Sequence, residues 1–185
     1  MSLWTRIKRW LMNSDNTEAL QKEFELSATA LIEACEECCE ETDEFLTFLD
    51  QFFSELASMR YQIEGIQHLS ITETDWSPSD NLPEQVKTIY ASIVSVMGQI
   101  AAREQMLVSN VKAVNHIHHG LTKVEGLVDI DMVDALKERV TPLLPKSNEQ
   151  LLAIRTALSQ MEKERAVYDS LGALLKDEKQ PDLLN

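Results

Sequence analysis

The sequence predicts an all-α fold: an elongated antiparallel three-helix bundle, a coiled-coil-like rod, behind a short N-terminal amphipathic helix. Three observations carry this expectation. Between Phe24 and Ile66 a core-type residue recurs at alternating steps of four and three, as Phe24, Ala28, Leu31, Cys35, Cys38, Thr42, Phe45, Leu49, Phe52, Leu56, Met59, Ile63 and Ile66, with Thr42 alone polar. A second series of the same rhythm runs Val86, Ile89, Ile93, Val96, Ile100, Arg103, Leu107, Asn110, Val114, Ile117, Leu121, Val124 and Val128. Between them lies a proline-bearing break. Spacing that averages about 3.5 residues keeps one seam of an under-wound helix against its partners.

Length and composition agree. A chain of 185 residues with five Gly, five Pro and 44% hydrophobic residues can bury a core as one domain, so general disorder is excluded. No stretch approaches the roughly 20 apolar residues that span a bilayer. No uninterrupted apolar run follows the basic start, so no secretory signal is expected; an acid-free basic start also fits a mitochondrial presequence. Cys35, Cys38 and Cys39, odd in number and clustered, do not form a disulfide framework and point to a reducing compartment, with cytoplasm the default.

The leader comes first along the chain, at residues 1–13. On a helical projection Leu3, Trp4, Ile7, Trp10 and Leu11 fall within an arc of roughly 120°, and Thr5, Arg6, Lys8 and Arg9 fill the rest. Two indoles and purely basic charge suit a membrane interface, where Trp sits at headgroup depth and Arg and Lys meet anionic lipid. Alternatively, the apolar face folds back to cap the bundle.

The body spans 14–178, with arms at 16–69, 83–128 and 131–177, and 179–185 is a polar tail. On the first arm a second stripe, Ile32, Cys39, Leu46 and Phe53, lies beside the seam, and Phe48 and Ala57 widen it. So broad an apolar face needs at least two neighbours. All five Phe lie on this arm, which makes it central. Residues 70–82 carry the clearest stop and start signals, with Pro78, Pro83 and a Ser, Asp and Asn cluster. On the second arm Asn110 either sits on the seam as a register-fixing amide or is displaced by Val111.

Residues 126–131 form a second turn, with Asp129 or Asp131 capping a short helix to about Val140. Thr141-Pro-Leu-Leu-Pro145 interrupts that arm, Ser147 and Gln150 match a capping box, and the last helix follows with Leu151, Ile154, Leu158, Met161, Tyr168, Leu171 and Leu175.

Charge narrows the function. The chain carries a net −14, yet residues 1–12 hold +3 and residues 13–70 hold −12. An acidic body repels phosphate backbones, so no nucleic acid is expected as a partner. One chemical cluster emerges once the arms are paired. With a tip at 68–82, Cys35 faces about residue 116, and Cys35, Cys38 and Cys39 come near His116, His118 and His119. Thiolate and imidazole are good ligands for zinc or iron. Against this, Cys35 and Cys38 hold ordinary seam positions, and Val114 and Ile117 hold the facing seam. No phosphate-cradling glycine loop, zincin helix or nucleophile elbow is present, so no catalytic residues are assigned.

The expected function is therefore non-enzymatic: a helical scaffold or adaptor subunit of a larger assembly. It docks on an anionic membrane surface or a protein partner through Leu3, Trp4, Arg6, Ile7, Lys8, Arg9, Trp10 and Leu11. The alternatives are a metal-binding bundle using the Cys and His cluster, and an acidic inhibitor that mimics nucleic acid toward a basic protein. Homo-oligomers are compatible with the wide seams.

Overall fold

A computed structural model describes residues 17–72 and 82–177 of the chain. Four helices account for almost all of these residues: α1 (Thr17–Thr72), α2 (Leu82–Val124), α3 (Ile130–Val140) and α4 (Leu143–Asp177). No strand occurs among the described residues, and the all-α bundle expected from the two seams is what forms. The leader and the polar tail lie outside the described residues, as does most of the expected tip at 70–82.

The arm boundaries follow from local chemistry. α2 ends at Val124, four residues earlier than expected, because Gly126 takes φ +81° and the Leu127 N–H closes onto the Val124 carbonyl at 2.9 Å. Only a residue without Cβ reaches that backbone region without strain. Asp129 then caps α3, its Oδ1 accepting from the Asp131 N–H at 2.9 Å.

The expected interruption is present but confined to residues 141 and 142, and the capping box at Ser147 is corrected. α3 ends at Val140, and α4 begins at Leu143 with Pro145 inside its first turn. The first amides of a helix have no intrahelical acceptor, so proline there removes nothing and its fixed φ suits the start. The Lys146 N–H already bonds the Pro142 carbonyl at 3.3 Å, which puts Ser147 inside the helix rather than at its cap.

The described residues form two compact units. Unit 1 joins α1 up to Glu44 with Glu104–Ala153, and unit 2 joins Phe45–Arg103 with α4 from Ile154 onward. The core of unit 1 packs Phe24, Ala28, Ile32, Cys35 and Cys39 of α1 against Val114, Ile117, Leu121 and Val124 of α2 and Val133, Leu136 and Val140 of α3. In unit 2 Leu49, Leu56 and Ile63 are buried with Ile93, Ile100, Ile154, Met161 and Tyr168. There α1 and α2 run antiparallel, since Phe45 meets Arg103 while Met59 and Ile63 lie beside Gln85 and Ile89.

The seam itself is partly corrected. On α1 the inward positions are Ala28, Cys35, Thr42, Leu49, Leu56 and Ile63, each seven apart. Leu31 is 46% exposed and Met59 37% exposed, Cys38 is half-buried, and Ile32 and Cys39 are sealed instead. A third helix beside the pair moves the buried arc toward the second stripe, which a two-helix seam leaves at its margin.

Candidate functional site

All four buried polar residues recorded among the described residues, Thr42, Asn110, Ser147 and Gln150, lie in unit 1, and they converge on one turn of α1. Asn110 occupies the seam of α2 at 6% exposure, which settles its position in favour of the buried amide. Its Nδ2 donates to Ser147 Oγ at 3.2 Å, approaches the Cys35 carbonyl at 3.4 Å and stands 3.5 Å from Cys39 Sγ. Cys39 Sγ and Ser147 Oγ share a hydrogen bond at 3.3 Å. Gln150 Nε2 donates to the Cys39 carbonyl at 2.7 Å and to Asp43 Oδ1 at 2.6 Å. Thr42 Oγ1 donates to the Cys38 carbonyl of its own helix at 2.7 Å. One amide, that of Asn110, thus links three helices.

Ion pairs fasten the rim of this layer. Asp43 Oδ2 receives Lys146 Nζ at 2.8 Å, and these hydrogen bonds from Lys146 and Gln150 hold the Asp43 carboxyl below its ordinary range. The same contact raises Lys146. Arg139 of α3 grips Glu36 with two parallel bonds, Nε to Oε1 at 3.1 Å and Nη2 to Oε2 at 2.7 Å. Planar two-point pairing of this kind fixes orientation as well as distance.

The sequence-derived Cys and His cluster is not brought together. Cys35 and Cys39 are buried, whereas His116, His118 and His119 are exposed on α2. Val114, Ile117 and Leu121 hold the inward positions, so the imidazoles stand outside the buried arc. Among the described residues no group of three or more His, Cys, Asp or Glu is placed to hold a metal ion. Burial, and then the neighbouring Cys38, Cys39 and Glu36, pushes the Cys35 thiol up to about 11. A protonated, sealed thiol is a small apolar filler rather than a ligand or nucleophile.

Ser147 and Gln150 are the layer residues that sequence reasoning placed elsewhere. Their signal was present: Leu143, Ser147, Gln150, Ile154, Ala157 and Met161 continue the four-three rhythm backward from the apolar part of α4. The Ser-x-x-Gln spacing matched a cap equally well, and Pro145 favoured that match.

Unit 2 offers different features. Phe45, Phe48 and Phe52 stack along α1 with centroids 5.9 and 6.0 Å apart, and the Arg103 guanidinium lies 5.8 Å over Phe45. That cation–π contact explains how arginine tolerates a seam position. Tyr168 is buried with its hydroxyl donating to the Leu56 carbonyl at 3.1 Å, and Arg60 pairs with Glu164 at 3.4 Å. An open groove of about 480 Å³ between α1 and α2 is lined by Met59, Gln62, Ile63, Glu84, Gln85, Thr88 and Ile89.

On the outward face of α1, Glu33, Glu37, Glu40 and Glu44 are exposed at helical spacing, so the acidic charge is carried where solvent reaches it. No described helix is long and apolar enough to cross a membrane. Leu3, Trp4, Arg6, Ile7, Lys8, Arg9, Trp10 and Leu11, the residues expected from the sequence to dock, lie outside the described residues. No family model matches the chain, and neither a curated protein nor a solved structure is detectably similar to it.

Proposed function

We propose that the chain is a non-enzymatic helical scaffold or adaptor that docks through its N-terminal segment on an anionic membrane surface or a protein partner. The observation that carries this reading is the opposition within one chain. Residues 1–12 hold two Trp, an apolar stripe and a net +3, while residues 13–70 hold a net −12. A basic amphipathic segment of this length binds an interface only weakly, so a second contact is needed for stable attachment. The exposed Glu33, Glu37, Glu40 and Glu44 face supplies one for a basic partner. Asn110, Ser147 and the Gln150 amide nitrogen make hydrogen bonds between helices, which suits a body whose task is to hold positions.

Co-sedimentation with vesicles of anionic and of neutral lipid tests the docking, using the intact chain and a chain lacking residues 1–12. Binding of the intact chain to the anionic vesicles, weakening with salt and lost on deletion, supports it. Equal binding of the two chains, or no binding to vesicles together with unchanged capture of partner proteins after deletion, contradicts it.

A further inference from the structure

We infer that the buried polar layer of unit 1 is a register lock: the hydrogen bonds among Cys39, Asn110, Ser147 and Gln150 select this pairing of α1, α2 and α4 over pairings slipped by seven residues. The regularity of the seams creates the need. Inward positions recur every seven residues, as Ala28, Cys35 and Thr42 on α1 and Leu107, Val114 and Leu121 on α2. A slip of one heptad returns mostly apolar residues to apolar residues, and apolar burial is non-directional. It does little to tell the pairings apart.

The surface ion pairs discriminate poorly as well. Lys146 meets Asp43 in the present pairing, and the residues seven positions to either side are Glu36 and Asp50, both acids. Arg139 meets Glu36, and seven positions on stands Asp43. Lys146 thus meets an acid after a slip in either direction, and Arg139 after a slip in one, since Thr29 stands seven residues before Glu36.

The interior does not repeat. Seven residues on either side of Cys39 stand Ile32 and Leu46, neither of which can exchange a hydrogen bond with Ser147 or Asn110. A slip of α1 takes the Cys39 thiol away from Ser147 Oγ and Asn110 Nδ2 and puts hydrocarbon in its place, and a slip of α2 past α4 parts Asn110 from Ser147. Leaving a buried donor without a partner is costly, whereas replacing all partners by apolar groups can be neutral. A polar side chain at one core position is the best-attested device for fixing register in paired helices, and it acts at some cost in stability.

Lys146 supplies the readout. Zero-length carbodiimide coupling joins an amine to a carboxylate in ion-pair contact, and peptide mapping of the full chain then reports where α4 lies along α1. The native chain couples Lys146 to Asp43 foremost. In the triple variant Asn110→Leu, Ser147→Ala, Gln150→Leu, the lock predicts a helical protein of equal or higher melting temperature whose couplings spread to Glu36 and Asp50. Asn110→Leu alone, a milder change, is expected to give a smaller spread with helix content retained. Couplings that stay on the native partners in both variants overturn the inference. Loss of helix in both also overturns it, because the layer then holds the fold up rather than choosing its register.

Discussion

Asn110 of α2 and Ser147 of α4, 37 positions apart, meet in the interior of unit 1 with Asn110 Nδ2 donating to Ser147 Oγ at 3.2 Å. Ser147 is wholly buried, so the bond has no competing water. Around it Cys39 and Gln150 complete a polar layer inside a body whose other inward positions, Thr42 apart, are apolar. In such a setting a hydrogen bond matters more for what happens when it is broken than for what it adds.

Truncating the layer should therefore cost more than removing a polar group that bonds only within its own helix. Asn110→Ala is expected to lower unfolding free energy by about 1–3 kcal/mol, since Ser147 and the Cys35 carbonyl lose a donor and a cavity opens. Thr42→Val, isosteric and buried, removes only a bond to the Cys38 carbonyl four residues back, and should stay within about 0.5 kcal/mol of the parent. Urea denaturation of the two variants measures the contrast.

On α1 the decisive pair is Leu31 and Ile32. Leu31 keeps the four-three rhythm of the sequence but is 46% exposed, whereas Ile32 is fully buried. Ile32→Ala should cost about 2–5 kcal/mol, and Leu31→Ala below about 1 kcal/mol. Equal costs would place the core on the simple two-helix seam instead.

This pair shows what was legible in the sequence. Periodicity specified the helices, their ends to within a few residues, and the heptad at Ala28, Cys35 and Thr42, because apolar spacing follows directly from helical geometry. It left undecided which flanking stripe a third helix covers, since that depends on contacts distant in the chain. Ser147 and Gln150 illustrate the same point. Their local pattern fits a helix cap, and only the start of α4 at Leu143 turns them inward. The histidines were misplaced relative to the cysteines for a simpler reason: pairing arithmetic gives height along a helix, not the face on which a residue stands.

Cysteine chemistry gives a third test. The half-buried Cys38 should alkylate first in the folded protein, with Cys35 and Cys39 protected until unfolding, as read by mass spectrometry after iodoacetamide. A Cys35 thiol held near 11 instead of 9.0 has about a hundredfold less thiolate at neutral pH. The sign of its pH dependence follows. The folded value lies above the unfolded one, so its contribution to stability is fully present below about pH 9 and declines as pH rises toward 11. Cys35→Ala should flatten that alkaline decline.

The rim pair Asp43 and Lys146 should behave in the opposite sense. Asp43 is lowered by its partners, so its contribution holds above the ordinary carboxylate range of about 3.9 and fades as pH falls through the folded value. Both side chains are more than a third exposed, so a double-mutant cycle with Asp43→Asn and Lys146→Met should give a coupling below about 1 kcal/mol, reduced further by salt. A larger, salt-insensitive coupling would mean that the rim, not the interior, carries the layer.

The most direct test of docking through the N-terminal segment puts two readouts on one variant, Trp4→Ala with Trp10→Ala. Anionic-vesicle co-sedimentation and thermal melting are measured together on the full chain. If the leader does the docking and the helical body stands without it, binding collapses even at low salt while the melting temperature stays that of the parent. Normal binding with a markedly lower melting temperature would contradict it, and would make residues 1–12 part of the core.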